Sequence, residues 1–311
     1  MTFPSPDQPL RIGTRGSPLA LAQAHETRDR LAAAHGLPDE AFDVVAIKTT
    51  GDNVLDRALS EIGGKGLFTK EIEEALIESR IDIAVHSMKD MPTVLPEGLV
   101  ISCLLEREDV RDAFISRKFD RLSDLPGGTV VGTSSLRRRA QLLNRRPDLS
   151  VVEFRGNVQT RLRKLDDGVA DATFLAAAGL RRLGQAELAE KALDVEEMLP
   201  AVAQGAIGIE IREDDSATRS LLEPIHHAET EVRLAAERAF LAGLDGSCRT
   251  PIAGLCVVSG EHLSFEGEII RPDGTERLVV SRLGAQSDAA AMGRDAAEEL
   301  RGRGGMDFFK V

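Results

Sequence analysis

The strongest constraint on what this chain can fold into is a rhythm. Between Leu10 and Leu199, short runs of β-branched and apolar residues alternate with stretches whose apolar residues recur at helical spacing. LRIGTR (Leu10–Arg15) predicts a strand, Pro18–Ala34 a helix opened by the Ser17-Pro18 start signal, and FDVVAIK (Phe42–Lys48) a second strand. After the glycine-rich GGKG (Gly63–Gly66), Leu67, Phe68, Ile72, Ala75 and Leu76 share one helical stripe, and IDIAV (Ile81–Val85) returns as a buried strand. The pattern restarts near Asp112, with strands in DAFIS, TVVGT, VVEF and ATFLA and helices after Ser135, after Asn157 and around Gly179–Leu183. Alternation of this kind predicts an α/β fold with mostly parallel strands.

The apolar, glycine-punctuated run LPAVAQGAIGIEIR (Leu199–Arg212) carries the chain back to complete the first unit. From about Thr230 the pattern changes to a helix (Glu231–Ala242), a cysteine loop, strands in LSFEGEII and RLVVSRL, and a final helix (Asp288–Arg301). The expected division is residues 1–105 plus 200–225 as a discontinuous α/β domain, 106–199 as a second, arginine-rich α/β domain, and 226–311 as a small α+β domain.

Charge narrows the partners. A net charge of -12 argues against broad binding to nucleic acid, which needs a basic face to displace counterions from phosphates. Locally the sign reverses: Arg137, Arg138, Arg139, Arg145, Arg146, Arg155, Arg161, Arg163 and Lys164 face only Asp148 and Glu153 in the same stretch. An acidic protein with one basic island points to a defined anionic ligand. No apolar run approaches the ~18 residues of a membrane span, and MTFPSPDQP has neither the basic start nor the apolar stretch of a secretory signal, so the expected location is the cytoplasm. Nothing calls for more than a monomer.

In GTSSLRRRAQLLNRR, Ser134 or Ser135 can cap a helix whose apolar stripe is Leu136, Ala140 and Leu143. Arginines in its first turn meet the positive end of the helix dipole, an arrangement costing roughly 0.3–1 kcal/mol each until an anion sits between them. Backbone N–H groups, hydroxyls and guanidinium forks together suit a carboxylate or phosphate. Arg155 and Arg161 bracket the next turn, RGN, at the edge where open α/β sheets bind ligands. The plainer alternative is a solvated basic helix, or arginines paired with Asp148, Glu153, Asp166 and Asp167.

IDIAVHSMKDMP runs a buried strand into a polar turn with His86, Ser87, Lys89 and Asp90. A carboxylate held there among cations can move a proton or steady developing positive charge, contributing about 10²–10⁴ in rate; alternatively, Asp90 only caps the turn before Pro92 and pairs with Lys89.

Three cysteines form no disulfide framework and no paired zinc motif. Cys103 and Cys256 lie in strand-like apolar runs and are expected in the core, whereas Cys248 lies in a loop beside Arg249, where a cation favours the thiolate. No metal is expected, since the adjacent His226 and His227 point apart, and GGKG lacks the spacing of a nucleotide loop.

RIGTRGSPLALAQA (Arg11–Ala24), GGKGLFTKE, VHSMKDMP, GTSSLRRR, FRGNVQTRL, LPAVAQGAIGIE and GSCRTPIAG follow one another in an order that resembles the porphobilinogen deaminase family across nearly the whole chain. That resemblance implies two periplasmic-binding-protein-like (type II) α/β domains and a small α+β C-terminal domain. It implies an enzyme that condenses four porphobilinogen molecules head to tail, with loss of ammonia, to hydroxymethylbilane on a dipyrromethane cofactor. By the same resemblance Cys248 carries that cofactor through a thioether, and Asp90 attends the pyrrole nitrogens as the catalytic carboxylate. Arg15, Ser17, Arg137, Arg138, Arg155, Gly156, Arg161 and Arg182 would meet ring carboxylates, Lys89, Thr133, Ser134 and Ser135 would line those of the primer, and Gly63, Gly64, Lys65, Gly66 and Phe68 would belong to a lid loop. Two departures stand out: Glu61 where the family tends to lysine, and Ser247 before the cysteine.

Two other classes remain open on the residues alone. A non-enzymatic anion-binding protein of the same architecture predicts reversible binding and leaves Cys248 without a purpose. A nucleic-acid-reading helix at Ser134–Arg146 has against it the acidic total and the absence of Trp and Tyr, although Phe154 can stack on a base.

Overall fold

The structure, a computed structural model, describes residues 4–53, 69–247, 250–305 and 307–310. Its strands in chain order are β1 (Leu10–Arg15), β2 (Phe42–Ile47), β3 (Ile83–Ser87), β4 (Leu99–Leu104), β5 (Asp112–Ser116), β6 (Val130–Gly132), β7 (Ser150–Val152), β8 (Ala172–Ala176), β9 (Ile207–Arg212), β10 (Ile252–Ser259), β11 (His262–Ile270) and β12 (Arg277–Ala285). The described residues of Met1–Leu55, Gly64–Glu108 and Ala206–Glu231 make one compact unit, and those of Asp109–Gly205 and Val232–Val311 make a second.

In the first unit five strands form a sheet of order β2-β1-β3-β9-β4. Helix Pro18–His35 begins where Ser17 accepts a hydrogen bond from the Ala20 N–H with Pro18 at the first helical position, and it ends at Gly36 in the left-handed region. Its buried Ala24, Leu31 and Ala32 pack with Ile12, Ile83, Val85, Ile207 and Ile209, while Ile72, Ala75, Leu76, Ile81 and Ala84 form a second cluster. Helices on both faces explain why β3 is buried over its first four residues instead of alternating.

Strand direction follows the mostly parallel expectation in this sheet except at β9. β1 runs parallel to β2 and β3, but β9 is antiparallel to both β3 and β4. β9 reaches the sheet only after a long excursion of the chain and enters between β3 and β4 in the opposite direction.

The second unit holds two sheets. One has the order β5-β8-β6-β7, with β5 antiparallel to β8 and the other pairs parallel. Phe114, Val131, Leu142, Leu149 and Phe174 pack in one cluster, and Ile115, Phe154, Leu165, Leu175 and Leu180 in another. The other sheet, β10-β11-β12, is antiparallel throughout. Helices Ala228–Gly243 and Ala289–Gly304 supply its apolar cover, with Phe240 edge-on to Phe265 at 5.1 Å. Among the described residues no helix is long and apolar enough to cross a membrane.

Candidate active site

In the first unit the sequence-predicted residues gather at the carboxyl ends of β1 and β3. Arg15 ends β1, Ser17 caps the following helix, and β3 passes directly into a short turn, Met88–Asp90. Arg15, Ser17, Thr69, His86, Ser87 and Asp90 line a pocket of about 60 Å³ there. Asp90 is exposed and Lys89 half-buried. Ser87 donates to Gln23 Oε1 at 2.9 Å, which ties the end of β3 to the helix that Ser17 caps. Behind this edge, His86 Nε2 lies 2.9 Å from Glu210 Oε2 with both side chains buried. Glu73 is also buried; loss of solvent pushes its carboxyl above the ordinary range, and the charge of Glu210 adds to that.

The second unit brings a different set together. β6 and β7 pair in parallel, so the turns that follow them lie side by side, and Ser134 Oγ accepts from the Phe154 N–H at 3.0 Å across them. Thr133 Oγ1 accepts from the Ser135 N–H at 3.2 Å, and Ser135 caps helix Leu136–Arg145 by accepting from the Arg138 N–H. Each of these hydroxyls keeps its own proton available to an acceptor. Gly156 has φ 123°, and a Cβ there would sit 2.6 Å from Thr160 Cγ2, so only glycine fits. Arg161 Nε donates to Gly156 O at 2.9 Å, Arg182 Nη1 to Gly205 O at 3.2 Å, and Lys164 Nζ to Arg155 O at 3.0 Å. Arg155 carries a buried Nη1 with no hydrogen-bond partner among the described residues.

Arg137 and Arg138 are both buried, and the anion between them belongs to the protein. Arg137 Nη2 lies 2.7 Å from Asp112 Oδ2, and Arg138 Nη2 lies 2.6 Å from Asp112 Oδ1. Arg137 also donates to Leu199 O and Arg138 to Phe174 O, both at 2.8 Å, and Gln204 Nε2 reaches Asp112 Oδ1 at 3.0 Å. Burial alone would raise the Asp112 carboxyl, but the two guanidinium groups outweigh it and hold the group well below the carboxylate range. Of the partners foreseen for the basic island, Asp148 pairs with Arg146, whereas Asp166 pairs with Arg117 from outside it.

Sequence reasoning missed Asp112, Gln204, Glu210 and Glu73. The signal for Asp112 was present as a charge opening the otherwise uncharged strand DAFIS, since a carboxylate enters a buried strand only with a partner. Cys103 and Cys256 are buried, and burial pushes the Cys103 thiol up to about 12. His226 contacts Glu231 and His227 contacts Thr230, and among the described residues no three metal-ligating side chains cluster. Cys248, Gly63, Gly64, Lys65, Gly66, Phe68 and Glu61 lie outside the described residues. Next to Cys248, the Ser247 N–H donates to Thr250 Oγ1 at 2.8 Å.

Comparison with known proteins gives a consistent result. A family model described as porphobilinogen deaminase, dipyromethane cofactor binding domain, matches residues 10–220, and one described as the porphobilinogen deaminase C-terminal domain matches residues 232–302. A porphobilinogen deaminase of Paracoccus denitrificans is 67% identical over 307 residues, covering 99% of this chain and 98% of the relative. The corresponding protein of Nitrobacter winogradskyi is 59% identical over 300 residues, covering 96% and 95%. Among solved structures, a putative methionine-binding lipoprotein of Bacillus subtilis covers 73% of this chain and 93% of its own at 13% identity and a TM-score of 0.44.

Proposed function

The chain belongs to the porphobilinogen deaminase family, enzymes of tetrapyrrole biosynthesis, and from that premise we propose how its residues condense four porphobilinogen molecules into hydroxymethylbilane. The observation that carries the reading is the exposed Asp90 sharing a small pocket with Arg15 at the carboxyl ends of β1 and β3. A carboxylate there accepts hydrogen bonds from pyrrole N–H groups, stabilises the positive charge that develops as ammonia leaves, and takes the proton lost when the new bond forms. Arg15 and Ser17 bind acetate or propionate groups of the ring, and Lys89 neutralises a further carboxylate.

The residues of the second unit suit a group rich in carboxylates. The buried, unpartnered Nη1 of Arg155 calls for an anion, and the hydroxyls of Thr133, Ser134 and Ser135 surround the same pair of turns. We assign Arg155, Gly156, Arg161 and Arg182 to carboxylate binding. Arg137 and Arg138 join them by exchanging part of their contact with Asp112 for a ligand carboxylate. The dipyrromethane cofactor would be held by Cys248 through a thioether and would supply the ring carbon from which the chain grows. The three-part division at residues 1–105 with 200–225, 106–199 and 226–311, a cytoplasmic location, a monomeric state, and the absence of nucleic-acid and membrane partners complete the proposal.

The deciding experiment is the intact mass of purified protein beside that of Cys248→Ser, with peptide mapping. An excess of two linked pyrroles on the wild type, absent from the variant, is the expected outcome. No adduct at Cys248 even after porphobilinogen is added would overturn the attachment.

A further inference from the structure

We propose that His86, held by Glu210, takes the proton from Asp90 after each condensation and delivers it to the ammonia already released in that cycle. The proposal rests on the reading of Asp90 as the catalytic carboxylate. His86 lies on β3, four residues before Asp90, and both residues line the same pocket of about 60 Å³; the relay passes the proton between them directly or through bridging water.

Tautomer follows from the partner. Nε2 faces the Glu210 carboxylate at 2.9 Å, so Nε2 carries the hydrogen and Nδ1 presents its lone pair. The His86 imidazole makes no other hydrogen bond among the described residues. The charged and titratable groups around the imidazole come from four elements: Glu210 from β9, Glu73 from helix Lys70–Ile77, Arg15 from the end of β1, and Asp90 from the turn after β3. Glu210 is the carboxylate within hydrogen-bond distance of the imidazole among the described residues, and an arriving proton completes an ion pair with it. A buried pair of this kind is a poor source of stability compared with apolar side chains of the same volume, so its place beside the acid pocket asks for a chemical reason.

The step balances without an outside reagent. When the ring carbon that has formed the new bond loses its proton, the C–H electrons return to the ring and the proton goes to Asp90. The Asp90 O–H bond then breaks as Nδ1–H forms, giving an imidazolium against Glu210. That imidazolium protonates the released ammonia, which leaves as ammonium, and both residues return to their starting state.

His86 therefore acts through Asp90, and His86→Gln separates this role from packing, because glutamine keeps a hydrogen bond to Glu210 but carries no proton. In the primer-loaded protein, His86→Gln is expected to keep the wild-type melting temperature and primer mass, lower kcat about 10²-fold at unchanged KM, and change the acidic limb of the pH–rate profile, to which Asp90 alone then contributes. Glu210→Gln keeps that limb but moves it to lower pH, because loss of the anion disfavours the imidazolium. Wild-type turnover and profile in His86→Gln, beside an inactive Asp90→Ala, would overturn the relay and leave the Asp90 assignment standing. A fully active Asp90→Ala would overturn that assignment and the relay with it. Should His86→Gln not fold, Glu210→Gln alone decides, and an unmoved profile counts against the relay.

Discussion

Arg138 grips Asp112 through both Nε and Nη2, at 3.2 and 2.6 Å from the same carboxylate oxygen, where neither side chain is more than 6% exposed. Arg137 holds the other oxygen. A positive pair divided by one carboxylate leaves net positive charge in the interior, a standing attraction for a second anion.

Removing that carboxylate should be costly. Asp112→Ala leaves two buried guanidinium groups uncompensated, and unfolding in urea is expected to show a loss of about 3–5 kcal/mol. The pH dependence has a definite sign. Because the folded-state carboxyl is depressed, its stabilisation is fully present above the ordinary aspartate value of about 3.9 and is lost as pH falls below it toward the folded value. The stability difference between wild type and Asp112→Asn should therefore be flat near neutrality and shrink in acid.

Asp90→Ala should leave the fold intact, because the side chain is exposed. Turnover is expected to drop by at least about 10²-fold, the lower end of what a positioned acid–base group contributes. Steady-state rates beside thermal melting measure both, and a variant with most of the wild-type turnover would remove Asp90 from the chemistry.

Thiol reagents should ignore two of the three cysteines. With its pKa pushed up to about 12, Cys103 is thiolate in only roughly 10⁻⁴ of molecules at pH 8, and Cys256 is equally shielded by burial. Alkylation of native protein followed by mass spectrometry should leave both unmodified, and denaturant should expose both together.

Gly293 marks a close approach of two helices. A Cβ there would sit 2.1 Å from Ala236 O, so Gly293→Ala must push helix Ala289–Gly304 off helix Ala228–Gly243. A loss of about 1–3 kcal/mol in denaturant unfolding is expected; the wild-type midpoint would mean that the helices slide freely.

Much of this was legible in local sequence. DAFIS and ATFLA are strands with the foreseen ends, and Ser135 caps its helix as its position before Leu136 implied. What local pattern could not supply was pairing across distance. The dipole argument called for an anion among the first-turn arginines, and Asp112, about two dozen residues upstream, is one; only the sheet that sets β5 against β8 brings it there. The reversed direction of β9 was not legible for the same reason, since nothing in IGIEIR states which neighbour it will find. The residue-level roles at Asp90 and Arg155 came from the family resemblance, because a polar turn and a basic turn alone fit several chemistries.

β9 lies between β3 and β4, although more than one hundred residues of chain separate Leu104 from Ile207. During synthesis, therefore, the first unit has two strands with nothing between them until the whole of Asp109–Gly205 has left the ribosome. At about 5–20 residues per second that interval is of the order of 5–20 seconds, in which apolar edges of β3 and β4 stand open. The usual order, in which the N-terminal part is finished first, is reversed here: the second unit's β5-β8-β6-β7 sheet can close before the first is complete.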